Sequence, residues 1–312
     1  MKYFMAGGCG FILSSIINKL MKEEPESEFV IYDNLSSGKC EFLDNIINNP
    51  RIKIVIGDIK NLSSLTYFME GCSCVHHFAS NADISKAMSD PTIDFYEGAL
   101  LTQNILEAMR INGIKRIIYA SGSGVFGYTH KEIATEDYHP MIPVSTYGAS
   151  KLYGESLISS YCNMFDMDGK VYRFANVVGK NQTHGICFDF IRKLKSNPRE
   201  LQILGNGRQI KGYIYIDDVI NGILATRNSE NQYDYFNLAP KDRITVNEIA
   251  DIVVEEMGLC NVKYEYTGDI SWKGDVTDIE MSSEKAKRYG WEPQYTSKQA
   301  IQKSVREMLG KE

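Results

Sequence analysis

Long apolar runs are missing from this chain. No stretch approaches the roughly 18 uncharged apolar residues of a membrane span, so no transmembrane segment is expected. An excess of positive charge is missing too: 34 Lys and Arg are outnumbered by 40 Asp and Glu, a formal charge of −6. That removes the electrostatic footprint of a nucleic-acid binder. The seven cysteines are scattered and odd in number, which argues against a disulfide framework. Met1-Lys2-Tyr3-Phe4-Met5-Ala6-Gly7-Gly8 offers too short an apolar segment for a signal peptide and runs directly into a glycine turn. Internal repeats, low-complexity tracts and polar linkers are also lacking. These absences lead to the expectation of a cytoplasmic chain acting on neither membrane nor nucleic acid. What remains is ordinary for a globular enzyme: 312 residues, 43% hydrophobic and 24% charged, long enough for two domains or one large α/β unit.

Over the first two-thirds, short β-branched or aromatic runs alternate with stretches of helical period. Strands are expected at residues 2–5, 29–32, 52–56, 75–78, 116–120 and 170–174, and helices at 12–21, 62–68, 101–112 and 147–165. Such alternation implies a doubly wound parallel sheet covered on both faces. The last third changes character. Gly205-Asn206-Gly207 and residues 231–234 punctuate short strands, and helices are expected at about 246–257 and 282–289. We read a smaller α+β lobe there, with residues 213–227 returning to the first domain.

Gly7-Gly8-Cys9-Gly10-Phe11-Ile12-Leu13 follows the first strand and opens the first helix. Glycines at that point allow a tight turn and a close backbone approach, so that a pyrophosphate can sit on the helix N-terminus. Gly7 and Gly10 have G-x-x-G spacing, but the expected third glycine is Leu13, which predicts a displaced helix or a rotamer turned aside. Asp33 ends the second strand, where a carboxylate can accept both ribose hydroxyls and would repel a 2′-phosphate. NAD is therefore favoured over NADP. Gly57-Asp58-Ile59 ends the third strand, within reach of an adenine edge.

Tyr147-Gly148-Ala149-Ser150-Lys151 places a tyrosine and a lysine four apart, on one helix face. In a chain with 19 tyrosines that spacing carries little information alone. Its context carries more: it opens a long helix one element after Ser121-Gly122-Ser123-Gly124. Hydride removal from an alcohol carbon needs a base for the hydroxyl proton. Lowering a tyrosine of pKa ~10 by roughly three units takes about 4 kcal/mol of phenolate stabilisation, which a nearby ammonium and a positive nicotinamide ring supply.

With these residues, the chain resembles an extended short-chain dehydrogenase/reductase of the nucleotide-sugar epimerase and dehydratase group over essentially its full length. The matching motifs are the glycine turn, Asp33-Asn34-Leu35-Ser36-Ser37-Gly38, Gly57-Asp58-Ile59 and Tyr147-x-x-x-Lys151. Arg173-Phe174-Ala175-Asn176-Val177-Val178-Gly179 and Tyr213-Ile214-Tyr215-Ile216-Asp217-Asp218 complete the set. The resemblance implies an α/β fold, a Rossmann-type doubly wound parallel sheet with a smaller C-terminal α+β substrate lobe. Residues 1–175, with about 213–230, would form the NAD-binding domain; 176–212 and 231–312 would form the nucleotide-sugar lobe. It implies NAD held by Gly7, Gly10, Phe11, Ile12, Asp33, Asn34, Ser36, Ser37, Gly38, Asp58, Ile59, Phe78, Ala79, Ser80, Tyr147 and Lys151. It further implies a nucleotide-diphosphate sugar with Asn176 near its phosphates, and a homodimer built on residues 92–112 and 147–165.

The departures narrow the chemistry. Most relatives carry Ser or Thr three residues before the Val of a Val-Tyr-Gly turn; here the turn is Val125-Phe126-Gly127 and that position is Gly122. Strand alternation points Ser121 away from the site, whereas Ser123 lies past the strand end, where the backbone is free to turn, so Ser123 is expected to replace the missing hydroxyl, with Ser121 in reserve. Dehydratases of the group have Asp and Glu where Ser123 and Gly124 stand, which disfavours 4,6-dehydration. Oxidation at one sugar carbon, usually C4, remains, followed by re-reduction (a 4-epimerase) or by release (a net C4 dehydrogenase). The competing reading is a non-catalytic NAD-binding sensor, kept open by Gly122 and Leu13. Lys211 replaces one phosphate-binding arginine and lacks its bidentate fork. Trp272 replaces a second, either stacking on a ring or packing in the core. Cys72-x-Cys74-x-His76-His77 lies on a strand, so its adjacent histidines face opposite sides; no metal site is expected. Cys9 is expected to be a small filler, Glu155 a helix-surface or packing residue, and His184 and Arg208 contacts to sugar or base.

Overall fold

The computed structural model describes residues 1–81, 83–269 and 271–311. Its central sheet has seven strands: β1 (Lys2–Ala6), β2 (Glu28–Asp33), β3 (Ile52–Ile56), β4 (Cys74–His77), β5 (Arg116–Gly122), β6 (Asp168–Phe174) and β7 (Tyr233–Leu238). Their order is β7-β6-β5-β4-β1-β2-β3. β1 pairs in parallel with β2 and β4, β2 with β3, and β4 with β5. Parallel neighbours need crossovers: α1 (Phe11–Glu23) joins β1 to β2, α2 (Leu62–Met69) β3 to β4 and α3 (Leu100–Ile111) β4 to β5, with only a 3-10 turn at Cys40–Leu43 between β2 and β3, and α4 (Thr146–Phe165) follows β5. The chain order reverses between β1 and β4, and a sheet of this kind binds ligands outside the carboxyl ends of its strands at such a reversal.

Two compact units divide the chain. The first comprises Met1–Gly122, Ala149–Arg173 and Arg227–Phe236. Its core joins Phe4, Tyr32, Val75, Ile117 and Val171 of the sheet to Leu65, Leu106, Met109 and Ile158 of the helices. Apolar residues recurring three and four apart on α3 supply Leu101, Ile105, Leu106 and Met109 to that core.

The second unit comprises Ser123–Gly148, Phe174–Thr226 and Asn237–Glu312. It holds short two-stranded ladders. Asn176–Val178 pairs in parallel with Tyr213–Tyr215, and Ile210–Lys211 pairs antiparallel with Ile244–Thr245. Helices α5 (Ile186–Ser196), α6 (Ile216–Thr226), α7 (Val246–Glu256), α8 (Glu284–Lys287) and α9 (Ser297–Met308) complete it. Capping boxes start α7 (Thr245 with Glu248) and α9 (Thr296 with Gln299), each satisfying two orphan amides.

The expected elements of the first two-thirds are all present, several one or two residues longer than their apolar runs. β4 stops one residue early because the amides of Phe78 and Ala79 both turn to the Ala6 carbonyl, at 3.0 and 3.1 Å. The helix expected at 282–289 shrinks to α8, and α9, whose polar sequence hid its apolar face, was not anticipated. Among the described residues no helix is long and apolar enough to cross a membrane.

Candidate active site

The glycine turn is shaped by close approach. Gly7 has φ +82°, and a Cβ on it would lie 2.7 Å from the Ala79 amide nitrogen. A Cβ on Gly8 would meet Ile31 Cγ2 at 2.7 Å and the Met5 carbonyl at 3.0 Å. Gly8 therefore supplies the tight turn-to-strand packing expected of a third glycine. Leu13 is a fully buried core residue. Gly10 caps α1 through its backbone, and neither a side-chain cap nor an acidic residue occupies the first turn. Phe11 and Ile12 open α1 half-buried. The orphan amides of that turn stay available to an anion.

Asp33, buried at the end of β2, accepts from the Cys9 amide at 2.9 Å and the Leu35 amide at 2.8 Å. Burial raises its carboxyl pKa, and the two amides oppose the shift. Each oxygen keeps a lone pair beyond these bonds. A Cβ on Gly38 would lie 3.0 Å from Asp33 Oδ2, so the Asn34–Gly38 loop folds back over the carboxylate. Ser36 donates its amide to Asn34 Oδ1 at 3.0 Å, while Ser36 and Ser37 are exposed. Asp58 Oδ1 accepts the Lys60 amide at 2.9 Å. The Ile59 side chain lies in the core and its carbonyl accepts from Asn104 at 3.0 Å. Phe78, Ala79 and Ser80 follow β4 as half-buried residues beside the glycine turn.

α4 carries both Tyr147 and Lys151. Lys151 is 3% exposed and donates Nζ to the Ala120 carbonyl at 2.8 Å, 5.2 Å from the Tyr119 ring centroid. Burial pushes its ammonium down to about 8, against the carboxylates of Asp94 and Glu155. Ser121 and Ser123 part company at the end of β5. Ser121 is buried and donates to Glu155 Oε1 at 2.5 Å. Ser123 begins a 3-10 turn through Val125. That turn abuts the start of α4: a Cβ on Gly124 would lie 3.8 Å from Tyr147 Cδ1, and one on Gly148 only 2.3 Å from the Gly124 carbonyl oxygen.

In the second unit Ser123 and Asn176 line one cavity of about 450 Å³, together with Gly212, Arg243, Met281 and others. The Asn176 side chain donates to the Gly212 carbonyl at 3.1 Å. Lys211 is ion-paired with Asp275 at 2.5 Å, and Asp275 also accepts from Ser271. Trp272 is half-buried against Gly274, where a Cβ would sit 3.2 Å from its ring. His184 and Arg208 are exposed on loops.

Of the two roles expected for Glu155, the structure excludes the helix surface: it is 2% exposed. It forms a buried ion pair with Arg173, 2.7 Å at its shortest, and accepts the Ser121 hydroxyl as well. A signal was present, since an arginine inside the run Val171-Tyr172-Arg173-Phe174 demands a buried partner. His76 and His77 are both 1% exposed and face different neighbours, Tyr3 and Phe78 for the first, Tyr119 and Thr102 for the second. Burial drives both imidazoles down to about 3, so they are neutral.

Residues 3–239 match the NAD dependent epimerase/dehydratase family. The chain belongs to that family. A crystal structure of UDP-galactose 4-epimerase shares 32% identity with it over 100% of this chain and 99% of that one, at a TM-score of 0.87. The UDP-glucose 4-epimerase of Thermus thermophilus, solved in complex with NAD, shares 26% identity over 99% of each chain, also at 0.87. The dTDP-D-glucose 4,6-dehydratase of Mus musculus is 25% identical over 97% of this chain and 87% of its own length.

NAD is the cofactor of this family, and the residues present fit it. The uncapped α1 N-terminus suits a pyrophosphate, the cradle that a Gly7 side chain would fill suits close passage of the cofactor, and Asp33 retains acceptor capacity for ribose hydroxyls.

Proposed function

We propose that this protein is an NAD-dependent oxidoreductase of nucleotide-diphosphate sugars that works at C4, as a 4-epimerase. The observation that carries the reading is the buried Lys151 one helical turn from Tyr147, with the Ser123 turn packed at the start of that helix. NAD, when bound there, would supply the acceptor and donor of a hydride at the sugar carbon. Tyr147 is the base that holds the proton of the C4 hydroxyl. Lys151, cationic below about pH 8 and one helical turn from Tyr147, stabilises the phenolate by its charge. The Ser123 hydroxyl takes the contact to the reacting oxygen that Gly122 lacks; Ser121 already serves Glu155. The first unit is read as the NAD-binding part and the second as the nucleotide-sugar part, with Asn176, Lys211 and Trp272 on the phosphate and sugar side.

The names of the two epimerase structures support a UDP-sugar as substrate. Ser123 and Gly124, where dehydratases need acids, speak against water elimination. Buried Asp33 favours NAD over NADP, since it would repel a 2′-phosphate. The enzyme is read as a cytoplasmic homodimer joined through α3 and α4. Phe95 and Tyr96 just before α3, and Tyr153 and Met164 three turns apart on α4, offer exposed apolar surface for that contact.

One observation favours release of the 4-keto sugar over re-reduction. Lys211 already pairs with Asp275, and Trp272 stands where a second arginine would grip the diphosphate. Incubating the NAD-loaded protein with a panel of UDP-sugars separates the outcomes. An epimer equilibrium without lasting absorbance of reduced nicotinamide supports the epimerase. Stoichiometric, persistent reduced cofactor with ketosugar in solution supports the dehydrogenase. NAD binding with conversion of no sugar would leave the sensor reading.

A further inference from the structure

The turn of α4 that follows Lys151 is fastened to β5 at consecutive points. Gly154 presses directly on Tyr119, where a Cβ would come within 2.4 Å of the phenol oxygen. Glu155, one turn after Lys151 on the same helix, accepts the hydroxyl of Ser121, the residue after Ala120, whose carbonyl receives the Lys151 ammonium. Arg173 on β6 closes the cluster with Nε and Nη2 on the Glu155 carboxylate at 3.1 and 2.7 Å, its guanidinium 4.8 Å from the Tyr235 ring centroid on β7. Glu155 and Arg173 are each 2% exposed. The Tyr233 hydroxyl donates to the Glu155 carbonyl at 3.1 Å.

A buried ion pair is poor evidence for stability, because desolvation offsets its attraction. This one sits a single helical turn from the lysine that the chemistry needs. We propose that Glu155 is a positioning residue for Lys151, and that with Ser121 and Arg173 it fixes the helix turn against the end of β5 and keeps the ammonium charged on the Ala120 carbonyl. The inference rests on the reading of Lys151 as the partner of the Tyr147 base.

The groups that face Lys151 define what a change at Glu155 does. His77 on β4 is neutral, and Tyr119 on β5 offers its ring. Tyr147 lies one turn earlier on α4. Asp94, buried before α3 and held by the Asn81 amide at 3.0 Å, supplies the other carboxylate. Asp94 alone then opposes the desolvation of Lys151 once Glu155 is neutralised.

The test reads the protonation of Lys151 without substrate. The full chain is produced with ε-13C lysine, its Lys151 resonance assigned by its loss in Lys151→Arg, and titrated by NMR. Wild type is expected to titrate near 8. In Glu155→Gln the acid dissociation constant of the ammonium rises about tenfold or more, as removal of a buried charge at this range implies, and the alkaline limb of kcat moves down in pH with it. Glu155→Gln strands a buried guanidinium, so if that variant fails to fold the double variant Glu155→Gln/Arg173→Gln is read against Arg173→Gln, a comparison that isolates the Glu155 charge and in which an unmoved midpoint counts against the proposal. A merely structural cluster lowers Tm and leaves the titration where it was; an unmoved midpoint in a folded variant overturns the proposal. Failure of the wild type to convert any nucleotide sugar counts against the proposed function instead, because the midpoint is read independently.

Discussion

Lys151 holds a charge in a place that disfavours it. Its folded-state pKa of about 8 lies below the ordinary lysine value near 10.4, so between those values the unfolded chain binds more protons. The contribution of this group to stability therefore rises with pH through that window, and its full burial penalty is felt below about 8. Comparing urea midpoints of wild type and Lys151→Met at pH 7 and pH 10 checks the sign: the advantage of the variant should shrink as pH rises. Activity runs the other way. Because the phenolate needs the ammonium, kcat should fall above about pH 8. Tyr147→Phe should lower kcat by about 10²–10⁴-fold while a fluorescence titration still shows NAD bound, since the ring packs unchanged and only the proton acceptor is gone. Ser123→Ala should cost about 10²-fold in kcat, and Ser121→Ala less. The reverse order would return the reacting hydroxyl to Ser121.

At the scale of elements, two strand-to-helix connections decide what the sheet presents. The Gly7 turn admits no side chain: Gly7→Ala forces a left-handed backbone on alanine and drives a methyl into the Ala79 amide. The variant should lose about 2 kcal/mol or more of stability and much of its NAD affinity, read as a lower Tm and a smaller Tm gain on adding NAD. This turn also marks where the sequence could be read and where it could not. Gly7, Gly10 and Asp33 were legible because their chemistry is local: a turn, an uncapped helix start, a strand end. The close approach at Gly8 was not legible, since it is made against Ile31 of a strand 23 residues away. The second connection, from β5 to α4, was legible as serines, glycines and a Tyr–Lys spacing. The end of the strand between Ser121 and Ser123 was legible, but not the carboxylate that Ser121 binds, because Glu155 and Arg173 meet only across packed elements.

Across the whole molecule, the first unit repeats a rule that hydrophobic periodicity can express: apolar strand, amphipathic helix, apolar strand. Nearly all of its elements could be read from that pattern. The second unit resisted because its strands are two to four residues long and paired across large separations, as Ile210–Lys211 with Ile244–Thr245. Some of its ion pairs are equally non-local, as Lys211 with Asp275, the pair on which the proposed release of ketosugar turns. Asp275→Asn should release Lys211 toward the diphosphate, lowering KM for the nucleotide sugar and reducing the fraction of turnovers that end in free ketosugar. The most direct single measurement is to incubate the protein and its NAD with a C4-deuterated UDP-sugar panel and follow the products by NMR. Conversion of one member to its C4 epimer, with deuterium retained at C4 and conversion abolished in Tyr147→Phe, is the expected result; an unchanged panel in the presence of bound NAD, or full turnover by Tyr147→Phe, would contradict it.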